Sequence, residues 1–202
     1  MSVKLAVIYY SASGTNYKLA QWASEGAKAE GAEVRLLQVQ ETAPQEVIDA
    51  TDYWKAHQTA TKHIPFATLD DLDWADAIIF SSPTRFGGLA AQMRQFLDTA
   101  GSLWMQGKLA NKVVSAMSSA GNSHGGGEAT LLQIYGSMYH WGAIVAAPGY
   151  TDQIIFAAGG CPYGTCATIN QDGTFSEDVA ALEKATKHQA KRTIEIASKI
   201  KA

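Results

Sequence analysis

Little cysteine, little proline and no block of basic residues mark this sequence. Two cysteines among 202 residues exclude a disulfide-stapled scaffold and fit a reducing, cytoplasmic setting. No apolar run approaches the roughly 18 residues that span a bilayer. The early run LAVIYY at residues 5–10 is too short for the core of a secretion signal. Sixteen basic side chains stand against nineteen acidic ones, a formal net charge of −3. Without a basic patch a nucleic-acid role has no electrostatic footprint. No segment repeats, and none is of low complexity.

What is present is the mix of a packed globular chain, with 47% hydrophobic and 17% charged residues. Residues 3–10 form a continuous apolar run that ends at a Ser/Gly cluster, as a buried parallel strand does. A helical pattern follows from Thr15, with Leu19, Ala20, Ala23 and Ala27 on one face and Gly31 as a stop. Residues 33–39 read as a second strand, which completes a βαβ opening. Further strands are expected at 75–83, 112–121 and 143–150. Helices are expected through Leu89, Met93, Phe96, Leu97 and Ala100, through Leu131, Leu132, Tyr135 and Met138, and from Ser176 to the end. Residues 40–68 and 151–175 show little periodicity. The expectation is a single α/β domain over residues 1–202, a three-layer sandwich with a five-stranded parallel sheet, helices on both faces and two large insertions; if the strand order is 2-1-3-4-5, strands one, three and four are neighbours. Subunit contacts are the expected use of both insertions, because long apolar-containing loops on a small domain need cover.

In open α/β sheets ligands bind beyond the carboxyl ends of the strands. Three loops leave strand ends there. The first is Ser11, Ala12, Ser13, Gly14, Thr15 and Asn16. Its hydroxyls, its amide and the free N–H groups of a helix start suit a phosphate monoester held without a counter-charge. It lacks the lysine of a nucleoside-triphosphate loop and is not G-x-G-x-x-G, so a resident dinucleotide is not expected. An ordinary strand–helix turn with a serine cap is the alternative. The second loop is Pro83, Thr84, Arg85, Phe86, Gly87 and Gly88. A hydroxyl, a cation and an aromatic face suit a flat polar ring, or else a surface arginine and a core phenylalanine. The third runs Ser119, Ala120, Gly121, Asn122, Ser123, His124 and Gly125 into further glycines. Its backbone N–H groups can line the edge of a planar ligand, or it is simply flexible.

The segments YYSASGTN, SSPTRFGGLAAQMRQFLD, GSLWMQGKL, SSAGNSHGGGE and PYG resemble, in order and spacing, the WrbA family of flavodoxin-like NAD(P)H:quinone oxidoreductases. The match covers nearly the whole chain. The resemblance implies non-covalently bound FMN, NADH or NADPH as a transient co-substrate, a quinone acceptor, and assembly as a homotetramer. Ser11 to Asn16 would hold the FMN phosphate, and Thr84, Arg85, Phe86 and the 119–125 loop would surround the isoalloxazine ring. His140 matches a family histidine near the flavin. Trp104 matches the aromatic residue that helps wall the substrate site. Ser13 stands where some members carry an aromatic residue associated with the nicotinamide. The implied cycle passes a hydride to the flavin and two electrons on to the quinone, giving hydroquinone without free semiquinone. An electron-carrier flavodoxin with no substrate of its own is the rival, although such chains tend to be shorter and strongly acidic.

Other residues carry less. Cys161 and Cys166 read as a redox pair, half of a zinc site or unpaired thiols; no metal site is expected. His140 could touch flavin or cap a helix, and His124 could touch ligand or stand exposed. No side chain needs to act as a nucleophile, so "catalytic" here means placing rings face to face.

Overall fold

The computed structural model describes residues 2–201. Lys4–Tyr9 (β1) lies between Glu33–Gln38 (β2) and Ala77–Arg85 (β3), parallel to both, with Leu5 opposite Val34 and Ala77. Its side chains alternate between two cores. Leu5, Val7 and Tyr9 pack with the helix Thr15–Ala29 (α1) and the C-terminal helix Val179–Lys201 (α9). Ala6, Ile8 and Tyr10 pack on the opposite face against Ala91–Asp98 (α5) and Gly127–Trp141 (α7). A strand buried on both faces needs apolar residues pointing both ways, hence the apolar run from Leu5 onward.

Gly26 lets α1 and α9 touch. A Cβ there would meet the Lys187 Cα at 2.8 Å, so a glycine inside a helix is kept for a close approach at some cost in helix propensity.

The sheet has seven strands among the described residues, in the order β2-β1-β3-β5-β6 with β5 at Val113–Ala120 and β6 at Ile144–Val145. The two extra strands are short. Gly88–Leu89 (β4) folds back on β3, and Cys166–Thr168 (β7) pairs with β5. The last strand, expected over 143–150, is split in two. β6 pairs with Val113 and Val114, then Pro148, which has no N–H to donate, and Gly149, at φ 57, turn the chain away. β7 rejoins the same edge opposite Ser118, Ser119 and Ala120. Residues 147–165 form an excursion between two halves of one edge.

Residues 40–68 are more regular than their sequence. They contain the helices Gln45–Asp49 (α2) and Asp52–Ala60 (α3), and Leu69–Trp74 (α4) follows. α3 buries none of its residues, so it shows no apolar stripe for a periodicity reading to find. Gly101–Met105 (α6) follows α5 closely, and Ile154–Ala157 (α8) lies in the excursion. No described helix is long and apolar enough to cross a membrane.

Candidate functional site

The first loop joins β1 to α1 through Gly14, whose φ of 95° is costly for a residue with a Cβ. The Gly14 N–H donates to Ser11 Oγ at 2.9 Å, which closes the turn from within. No side chain caps the first turn of α1. The serine-cap alternative is therefore not what the loop does. Thr15 and Asn16, the first residues of the helix, line the cleft there, at the positive end of the helix dipole.

The second loop is a tight hairpin. Thr84 pairs with Leu89 and Arg85 with Gly88, leaving Phe86 and Gly87 as the two central residues, at φ 52 and 78. Both lie in the left-handed region, as a type I′ turn requires. Phe86 is one of only two described non-glycine residues with positive φ, and its ring is fully exposed. Such strain costs about 1–2 kcal/mol. It also gathers at ligand clamps and functional loops. Arg85 is exposed and has no carboxylate partner among the described residues. One guanidinium N–H donates to the Thr84 carbonyl at 3.2 Å.

The third loop is tied to the second. Thr84 Oγ1 donates to the Gly125 carbonyl at 3.2 Å. A Cβ on Gly126 would lie 2.5 Å from the Gly87 Cα, so the two glycines let the loops touch. Beneath them Asn16, only 1% exposed, ties the start of α1 to β3 and β5. Its amide donates to Ser81 Oγ at 3.1 Å and its side-chain oxygen accepts from Ser119 Oγ at 2.6 Å.

These three loops enclose one cleft of about 140 Å³. Ser11, Ala12, Ser13, Thr15 and Asn16 line it from the first loop, Pro83, Thr84 and Arg85 from the second, and Ser119, Ala120 and Gly121 from the third. Ile169 also lines it, immediately after β7. Sequence reasoning missed Ile169, since nothing marked that residue apart from any other apolar one in the excursion. Gly14 shapes the loop without lining the cleft. Phe86, Gly87, Asn122, Ser123, His124 and Gly125 belong to the same loops but lie outside the lining. Asn122, Ser123 and His124 are exposed.

Trp104 and His140 are brought together elsewhere. The indole N–H donates to the His140 carbonyl at 2.8 Å, and Trp104 is 54% exposed. Neither lines the cleft within this chain. Cys161 and Cys166 are free thiols. Burial pushes the Cys166 thiol up to about 12 and raises Cys161 as well. No described group of three or more His, Cys, Asp or Glu side chains could hold a metal ion.

A larger cavity of about 420 Å³ adjoins the first loop. Ser11 lines both spaces, and the remaining walls come from β1, β2 and residues 39–66. Sequence reasoning missed it, because its walls come from the segment with least periodicity.

A parallel sheet in this order, covered by helices on both faces and carrying an uncapped helix start after its first strand, defines a flavodoxin-like protein. A family model described as NADPH-dependent FMN reductase matches residues 3–151. The chain belongs to that family. A protein of Deinococcus radiodurans named NAD(P)H dehydrogenase (quinone) is 54% identical over 98% of this chain and 97% of its own. A protein of the same name from Aromatoleum aromaticum is 40% identical, covering 97% and 96%. Among solved structures, a flavodoxin, WrbA-like protein from Agrobacterium tumefaciens superposes with a TM-score of 0.64 at 23% identity, over 98% of this chain and 99% of that one. A flavodoxin from the domain Archaea gives 0.60 at 21%, with the same coverage. These two likenesses speak to the fold.

Proposed function

We propose that this chain is an FMN-dependent enzyme that moves two electrons from NADH or NADPH to a quinone, releasing hydroquinone without free semiquinone. The observation that carries this reading is the convergence of the three loops on one cleft beside the uncapped start of α1. The donor set fits FMN. Hydroxyls and helix-start amides hold a terminal phosphate that takes no part in the reaction, so no lysine is needed there. Bound FMN supplies the hydride and electron chemistry, and the protein supplies position and electrostatics.

The chain's own residues then have distinct tasks. Residues 11–16 bind and orient the phosphate, with Asn16 fixing the loop against β3 and β5. Thr84, Arg85 and residues 119–121 border the ring, with the Arg85 guanidinium as the nearest uncompensated positive charge. Phe86 and residues 122–125 would shield the rim of a bound ring, and Ser13 and Trp104 would face the substrates. Trp104 is exposed and outside the cleft, so it and His140 meet the site through assembly. A homotetramer is the form proposed. Phe86, Trp104, Met105 and Tyr139 are exposed, as are Tyr150 and Phe156, whose rings stack at 4.8 Å. Such apolar surface calls for cover. The 202 residues are read as a single domain in a cytoplasmic setting.

Titration of the purified apoprotein with FMN, followed by quinone-dependent NADH and NADPH oxidation, tests the reading. A protein that takes up no FMN sinks it. One that takes up FMN but turns over no quinone is an electron carrier. Light scattering of the loaded protein tests the tetramer.

A further inference from the structure

The cavity of about 420 Å³ beside the phosphate loop has no task in the reading above. Its size is that of a small-molecule site. Its walls are aromatic, from Tyr10, Trp54 and Phe66, and they are held in place. Glu41 accepts from Tyr10 Oη at 3.0 Å, Trp54 Nε1 at 3.2 Å, Gln92 Nε2 at 2.7 Å and the N–H groups of Thr42 and Ala43 at 2.8 and 2.9 Å. Five donors fill the acceptor capacity of that carboxylate. The carboxylate therefore orders the walls, with its lone-pair directions taken by these donors.

One polar group of the walls is unspent. Tyr9 is 1% exposed, lines the cavity, and its hydroxyl has no hydrogen-bond partner. The Thr61 hydroxyl, which donates to the His57 carbonyl at 2.8 Å, lies outside hydrogen-bond geometry for it. A buried hydroxyl without a partner is costly, and an acceptor atom on a ligand edge would satisfy it. At the mouth the exposed Lys62 has no carboxylate within ion-pair distance among the described residues. The cavity therefore offers stacking walls, a buried donor and a free surface cation. That set suits a flat heteroaromatic ring with acceptor atoms on its edge and phosphate at its tail.

The cavity is also next to the redox site. It shares Ser11 with the cleft. A Cβ on Gly14 would lie only 3.5 Å from His57 Nδ1, so the phosphate loop packs directly against a wall of the cavity. We infer that this cavity is the subsite for the adenosine end of NADH or NADPH. The inference rests on the proposed function. That function needs the nicotinamide over the flavin ring, and the chain has no dinucleotide fingerprint to hold the rest of the molecule. A quinone offers nothing to Lys62, since it carries no phosphate.

Trp54→Ala, Trp54→Phe and Lys62→Ala in the FMN-loaded protein test this. The readouts are calorimetric titration with adenosine 5′-diphosphate and kinetics with NADH, NADPH and reduced nicotinamide mononucleotide, which lacks the adenosine end. Adenosine diphosphate is expected to bind the wild-type protein and compete with NADH and NADPH. Trp54→Ala should weaken that binding about tenfold, the lower range of base–aromatic stacking, and Trp54→Phe should retain most of it. The ratio of kcat/KM for NADH to that for the mononucleotide should fall by a similar factor in Trp54→Ala, and Lys62→Ala should lower the ratio for both dinucleotides. Absence of diphosphate binding to the wild-type protein overturns the inference, as does an unchanged ratio in Trp54→Ala. Loss of all NAD(P)H oxidation in the wild-type protein sinks the proposed function instead, while the calorimetric titration still judges the cavity.

Discussion

Ser119 Oγ donates to the side-chain oxygen of Asn16 across 2.6 Å, linking the start of α1 to a strand 103 residues further along the chain. The Asn16 amide reaches Ser81 as well, so one side chain fixes the phosphate loop against both neighbouring strand ends. Asn16→Ala strips a buried hydroxyl of its acceptor. The expected cost is about 2–3 kcal/mol in urea denaturation of the apoprotein, with weaker FMN binding. A loss below about 0.5 kcal/mol would mean that the network does not hold the loop.

The first turn of α1 sets two effects against each other. Thr15→Glu places a carboxylate where the helix dipole welcomes it, so the apoprotein should keep its stability or gain about 0.3–1 kcal/mol. The same charge repels a phosphate and fills its place. FMN affinity should fall by about 100-fold or more, near 2.7 kcal/mol, in a fluorescence titration. Unchanged affinity would show that the phosphate binds elsewhere.

Phe86 sits at the first central position of a type I′ turn, where asparagine before glycine is preferred. Phe86→Asn should relieve about 1 kcal/mol of strain and raise the melting temperature by about 2–4 °C. Quinone reduction should fall in kcat/KM, since the ring no longer shields the flavin. A lower melting temperature would show instead that the exposed ring is packed against another copy of the chain.

The Cys166 thiol keeps its proton in the folded protein up to about 12, against 9.0 for the free group. Burial is the main cause. Between these values the folded state binds the proton and the unfolded state releases it. Stability is therefore full below about pH 9 and falls as pH rises toward 12. Cys166→Ser should flatten that alkaline slope in denaturation curves measured across the window. Alkylation of the folded protein at pH 8 should also be slow at this thiol, which argues against a redox pair with Cys161.

The three loops were legible because each follows a long buried strand and each contains small polar residues. The order of the main strands came with the flavodoxin-like resemblance, since alternation of strand and helix sets a parallel sheet but not its order. The split of the last strand was not legible, since 143–150 and 166–168 are far apart in sequence and only β5 makes them one edge. Nor were α2 and α3, which lie on the surface and so lack an apolar stripe. Within this chain Trp104 and His140 bond to each other outside the cleft, and Ile169, which no pattern marked, lines it beside the three loops.

The sequence by itself determined the central strands, because strands buried on both faces are mostly apolar, and it determined the loop chemistry, because backbone freedom and hydroxyl donors are properties of residue type. Only the tertiary structure decided what those donors do. It committed the Asn16 amide to Ser81 and Ser119, left the first turn of α1 uncapped, and enclosed the unpaired Tyr9 hydroxyl in a second cavity. Such outcomes depend on which distant groups meet across the sheet, and no local pattern carries that information.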